Sequence, residues 1–308
     1  MSGGGPMVLN GVEIRDGFAE AFPMAGTRLL ITADTPRWAL TAARSMTGFA
    51  TSVIGCGCEA AVERELLPAE TPDGRPGVSV LVFAMSVKDL KRVVPLRVGQ
   101  SVLTCPTTAC YAGLDGGPAI PIGRALRYFG DGHQISKRLS GRRIWRIPVM
   151  EGEFVCDETA GCVAAAVGGG NFLILARSRA AALAGAEAAV EAMADIAGAV
   201  LPFPGGVVRA GSKVGSKYAG LVASTNGAYC PTLRAVTPTA LPPEAESVLE
   251  IVIDGLSEAA VAASMRAGIA AVCDLGAEAG ILAIDAGNYG GNLGPFHFHL
   301  RAILEGAP

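Results

Sequence analysis

The sequence predicts an α+β fold of two related lobes, each a sandwich of split-βαβ (ferredoxin-like) type. Three observations lead there: the two halves repeat one order of strand-like and helix-like stretches, half of the 308 residues are apolar, and proline and glycine turn signals recur throughout. A half-apolar chain of this length buries a large core and divides into two units of ordinary domain size. In the first half, VSVLVFA (78–84) precedes helix-like SVKDLKRVVPLRVG (86–99) and strand-like QSVLTCPTT (100–108). The second half repeats this as SVLEIVIDG (247–255), helix-like SEAAVAASMRAGIAAV (257–272) and GILAIDAGNYGGNLG (280–294). Each triplet has an upstream partner. TPRWALTAARSMTGF (35–49) reads as a helix before a strand ATSVIGC (50–56), and RAAALAGAEAAVEAMADI (179–196) as a helix before AVLPFPGG (199–206). The junction is expected near Met150, giving an N-terminal (proximal) lobe 1–150 and a C-terminal (distal) lobe 151–308.

Charge and leader signals exclude several classes. Net charge is −3 with scattered Lys and Arg, so no basic stripe exists to neutralise nucleic-acid phosphates. MSGGGPMVLNG lacks the basic and apolar regions of a signal peptide, so it reads as a flexible start of a cytoplasmic protein. The span between Glu158 and Arg177 is uncharged and long enough to cross a bilayer, but Gly168-Gly169-Gly170-Asn171 inside it favours a short strand, a glycine turn and a second strand FLILA. Eight irregularly spaced cysteines read as free thiols, without structural disulfides.

The motifs narrow the chemistry. Gly55-Cys56-Gly57 lacks the third glycine of a dinucleotide loop, and Gly211-Ser212-Lys213-Val214-Gly215-Ser216-Lys217 has the wrong order for a P-loop. The latter still concentrates lysines and hydroxyls, which suits a coenzyme phosphate or carboxylate as well as it suits a solvated turn. No cysteine pair has zinc spacing, and His297 and His299 lack an acidic third ligand, so no metal is expected. No nucleophile elbow is present. Glu250 breaks its surroundings: Val248, Glu250 and Val252 share one face of a strand while Leu249, Ile251 and Ile253 take the other. Burial there would raise its pKa and keep a proton available to a developing oxyanion. An edge-strand glutamate facing water explains the same pattern.

Taken in order, DGFAEAFPM, TGFATSVI, TPDGRPG, VLTCPTTA, YFGDG, IPVMEGEF, GGGNFLILA, PFPGG, GSKVGSKY, ASTN, EIVIDG and AGNYGG span nearly the whole chain. Together they resemble the formylmethanofuran:tetrahydromethanopterin formyltransferase family. The resemblance implies a two-lobed α+β subunit that oligomerises. Its coenzyme substrates would be methanofuran and tetrahydromethanopterin (or the dephospho form), meeting in a ternary complex without a prosthetic group. It places the family's catalytic glutamate at Glu250, against the water-facing alternative. Thr107, Thr108, Asn171, Ser212, Lys213, Ser216, Lys217 and Asn288 fall in matching segments as candidate contacts to polar parts of either coenzyme. The chain departs from the archaeal pattern at His133, Leu249 and Asn292. The near-neutral, alanine-rich composition points to a bacterial member. The implied partners there are the hydrolase and other subunits of a formyltransferase/hydrolase complex in formaldehyde oxidation to formate. The competing reading is a non-catalytic coenzyme-binding or scaffold subunit, against which the intact EIVIDG argues.

Overall fold

The computed structural model describes residues 6–139 and 141–306, in which helices combine with mixed β-sheet. The chain forms two compact units: Met24–Ala166, and Met1–Pro23 with Val167–Pro308.

In residues 24–166, Glu59–Leu66 pairs antiparallel with Gly77–Ala84, which pairs antiparallel with residues 25–32 of the strand Phe18–Thr32. That strand pairs on its other side with Ala109–Ala112, again antiparallel. Ala109–Ala112 runs parallel to Gly152–Asp157, and the sheet continues antiparallel through Arg142–Val149 to Ile135–Leu139. The helices Pro36–Thr47 and Val87–Arg97 contribute Ala39, Ala42, Met46, Leu90 and Val94 to a core shared with Leu29, Ile31, Val80 and Val82.

The second unit repeats this plan. Ala199–Val200 pairs with Ser247–Gly255, which pairs with residues 167–176 of the strand Val163–Ala176, which pairs with Ile281–Asp285, all antiparallel. Val12–Ile14 adds parallel to Ile281–Asp285, with Met7–Leu9 as its hairpin partner. On one sheet face, Phe172, Ile174, Ile251 and Ile253 meet Ala182, Ala186, Val261, Ile269 and Val272 of the helices Arg179–Met193 and Glu258–Leu275. On the other face Leu173, Leu175 and Ala283 are covered by Leu241, Ala245 and Tyr229, from the long excursion 201–246. All four principal helices open on the hydroxyl of Thr35, Ser86, Ser178 or Ser257, which accepts a first-turn N–H. Each such cap typically contributes about 1 kcal/mol.

Met150 is fully exposed in the hairpin turn between Arg142–Val149 and Gly152–Asp157. The compact units divide after Pro23 and after Ala166 because Gly152–Asp157 is tied to Ala109–Ala112, while Val12–Ile14 is tied to Ile281–Asp285. Several expectations need correction. Of the segment expected to be a flexible start, residues 1–5 lie outside the described residues, and Met7–Leu9 is a paired strand. The apolar stretch Ser52–Cys56 is not a strand: Ser52 caps a short helix Val53–Cys56, and the strand follows at Glu59–Leu66. Nor is QSVLTCPTT extended, since a π-helical turn Val98–Val102 prolongs the preceding helix and pairing begins at Ala109.

The triple glycine does not reverse the chain. It makes a bulge within the continuous strand Val163–Ala176, where the register against Ser247–Gly255 shifts between Val167 and Gly170. Gly169 holds φ 86°, and a Cβ on Gly170 would lie 2.3 Å from Val261 Cγ1, so conformation and close approach both require glycine. Among the described residues no helix is long and apolar enough to cross a membrane.

Candidate active site

Glu250 faces the long excursion. Its strand register puts it opposite Leu173, and its own N–H and C=O bond reciprocally to Val208 at 3.0 and 2.8 Å. The side chain enters a cavity of about 290 Å³ walled by Leu173, residues 208–213, Tyr229, Val248 and Ala286–Tyr289. Among the described residues no hydrogen bond reaches its carboxyl, so desolvation acts uncompensated and lifts its pKa to about 7. A half-buried acid that is still partly protonated near neutrality can donate to an oxygen on which charge develops.

The cavity walls are fixed by polar contacts. Asp285 Oδ2 accepts from the Tyr229 hydroxyl and from Arg15, each at 2.8 Å, and Oδ1 accepts from Ala286 N–H at 2.8 Å. Arg15 also donates to Ala240 C=O at 2.7 Å, stapling the excursion to the sheet end. Burial, then the Asp285 charge, pushes the Tyr229 phenol well above its ordinary range. The Tyr289 pKa is raised by burial and by the Glu250 charge, while a hydrogen bond with Ser212 draws it down.

The candidates named from the sequence separate into distinct groups. Ser212, Lys213 and Asn288 line the Glu250 cavity. Asn171 shares the face of Leu173 but is spent on the backbone: it donates to Gly169 C=O (3.0 Å) and Gly287 C=O (3.1 Å) and accepts from Gly287 N–H (2.6 Å). Its role is to hold the loop that forms the cavity wall. Ser216 and Lys217 sit at the turn of the hairpin formed by Ser212–Val214 and Ala223–Thr225, where Ser216 accepts from Tyr218 N–H at 3.0 Å.

Thr107 and Thr108 belong to the other unit. There Thr107, at φ 63°, accepts from Asp34 N–H at 3.1 Å and its C=O accepts from Arg75 at 2.5 Å. The Thr108 hydroxyl is committed to Val102 and Cys105 carbonyls at 2.5 and 3.0 Å. Thr107, Thr108, Arg75, Asp73 and Tyr111 line a separate cavity. His297 and His299 stack near Phe18, at 4.8 and 5.2 Å, and no group of three metal-ligating side chains occurs among the described residues.

Sequence reasoning missed Glu20, Asp285 and Tyr289. Glu20 carried the signal that exposed Glu250, a lone carboxylate in an apolar strand, between Ala19 and Ala21. Its environment is the reverse. Four backbone N–H groups reach it, and although burial pushes its pKa up, the bonds from Gly294, Tyr289, Leu293 and Gly291 outweigh burial and leave it lowered. One unit thus holds a carboxyl whose pKa is raised and a carboxyl whose pKa is lowered.

Residues 7–149 match the family model described as formylmethanofuran-tetrahydromethanopterin formyltransferase, and residues 152–303 match its companion, described as the proximal lobe. The chain belongs to the formylmethanofuran-tetrahydromethanopterin formyltransferase family. The proximal label thus falls on the C-terminal segment, the reverse of the labels expected from the sequence. A relative from Methylococcus capsulatus, named formylmethanofuran–tetrahydromethanopterin formyltransferase, is 64% identical over 97% of this chain and 100% of its own. A relative from Methylorubrum extorquens, named as a subunit of a formyltransferase/hydrolase complex, is 58% identical over 96% of this chain and 97% of its own. A chain in the crystal structure of that organism's formyltransferase/hydrolase complex with methylofuran superposes with a TM-score of 0.95 at 57% identity, covering 99% of this chain and 100% of that one. The family thus extends across both units.

Proposed function

We propose that this chain transfers a formyl group reversibly between formylmethanofuran and tetrahydromethanopterin, with Glu250 as the acid that stabilises the reacting oxygen. The observation that carries the reading is the Glu250 cavity, where desolvation without a compensating hydrogen bond raises the carboxyl pKa to about 7. A ring nitrogen of the pterin attacks the formyl carbon, a C–N bond forms, and the carbonyl oxygen takes the displaced electron pair. Protonated Glu250 donates a hydrogen bond to that oxyanion. As the carbonyl re-forms, the C–N bond to methanofuran breaks and the leaving nitrogen takes up the proton lost by the attacking amine. The opposite direction uses the same groups. Both reactants are themselves coenzymes, so no prosthetic group enters this scheme, and much of the rate comes from aligning two bulky partners.

Ser212, Lys213 and Asn288 are assigned to polar parts of a coenzyme because they line the Glu250 cavity. The hairpin residues Ser216 and Lys217 are assigned to a terminal carboxylate or phosphate, and Asn171 to support of the wall. Thr107 and Thr108 are assigned to a coenzyme contact in the other unit, supported by their position beside Arg75. The split-βαβ reading of both lobes is supported by the shared order strand, helix, strand, strand, helix, strand and by the matching antiparallel neighbours. The family models, ending at 149 and resuming at 152, support the division into 1–150 and 151–308. The likeness to the Methylorubrum extorquens relative supports an assembly with a hydrolase partner, and the homo-oligomer is carried by the family resemblance.

Purified protein given formylmethanofuran and tetrahydromethanopterin should form formyl-tetrahydromethanopterin. No transfer, repeated with the hydrolase partner present, would make the scaffold reading the better one.

A further inference from the structure

The second acid in the Glu250 unit has no part in the chemistry above. Glu20 has 0% exposure. Its Oε1 accepts from Leu293 and Gly294 N–H at 2.5 and 2.7 Å, and its Oε2 from Tyr289 and Gly291 N–H at 2.7 and 2.9 Å. Among the described residues no cation forms an ion pair with it, so converging amide dipoles supply the countercharge. Asn171 holds the start of this loop at Gly287, and within it Gly290 N–H donates to Asn288 Oδ1 at 3.1 Å, Asn292 Nδ2 donates to Gly290 C=O at 2.9 Å and the His297 ring meets Gly294 C=O at 3.1 Å, but Glu20 alone takes four of its backbone N–H groups. Asn288, Asn292 and Leu293 are exposed, and Gly290 and Gly291 take φ of 80° and 71°. Yet this loop carries Tyr289, whose ring lies 6.0 Å from Phe22 and whose hydroxyl reaches Ser212 on the wall of the Glu250 cavity.

Resting on the reading of that cavity as the transfer site, we propose that Glu20 is a positioning residue: its carboxylate is the template around which residues 289–294 fold, and it thereby sets Tyr289 against Glu250 and Ser212. The template needs two acceptor oxygens, each taking two N–H donors. Glutamine keeps the shape but turns an NH₂ toward two of those donors.

The test uses the full chain with Glu20→Gln, Tyr289→Phe and the double variant. Amide exchange should lose about 100-fold protection at Tyr289, Gly291, Leu293 and Gly294 in Glu20→Gln, while the strand Ser247–Gly255 keeps its own. In the transfer assay, Glu20→Gln should lower kcat about tenfold in the wild-type background and less than about threefold in the Tyr289→Phe background, the mark of one pathway. Unchanged exchange at the four amides would overturn the template, and additive effects on kcat would overturn the route through Tyr289. If the wild-type chain transfers no formyl group, the functional reading fails, while the exchange result still decides what Glu20 does.

Discussion

Replacing Glu250 by glutamine should change how stability depends on pH. In the folded protein desolvation lifts this carboxyl from 4.5 to about 7. Below pH 4.5 both folded and unfolded chains hold the proton, and the shift costs nothing. Between there and pH 7 the unfolded chain releases its proton while the folded chain retains it, so stability falls as pH rises; above pH 7 the full penalty of a desolvated anion is present. A move of this size corresponds to about 3 kcal/mol, an upper figure because the residue is only half-buried. Glutamine does not titrate. Urea unfolding of both proteins from pH 4 to pH 8 should therefore show the variant gaining on wild type by up to about 3 kcal/mol across that range. A difference that stays flat with pH would refute a titrating, desolvated Glu250.

Two further substitutions test what surrounds the acid. Asn171→Ala removes both donors and the acceptor that hold Gly169 and Gly287, and should lower the unfolding free energy by about 2–3 kcal/mol in urea titration, because buried backbone groups lose their partners. Gly170→Ala drives a Cβ against Val261 Cγ1, 2.3 Å away, and should cost about 1–3 kcal/mol in the same measurement.

The sequence was most legible where a period repeats and least where backbone closes on itself. Helices with serine or threonine caps and spaced alanines fell close to their expected limits, and so did Ser247–Gly255, whose alternation assigns Ile251 and Ile253 to the helix-covered face. Apolar runs such as 50–56 and 100–108 misled because Ser52 and a left-handed Gly57 cap a short helix across the first, the preceding helix runs on to Val102 into the second, and strand pairing begins only at the next segment. Glu250 stood out as an acid in an apolar strand. Glu20 stood out equally in letters, but its meaning depends on residues 289–294, more than two hundred and sixty positions away, and no local pattern carries such a contact. Asp285 was hidden the same way, since its partners Arg15 and Tyr229 lie on separate segments.

The most direct test of the central claim is kcat for formyl transfer by wild type, Glu250→Gln and Glu250→Ala, each verified as folded. Loss of one oxyanion donor costs about 10²–10³ in rate, so alanine should fall by that factor and glutamine, which keeps a donor, by less. Alanine retaining wild-type kcat would contradict the account, whatever the shape of the cavity around it.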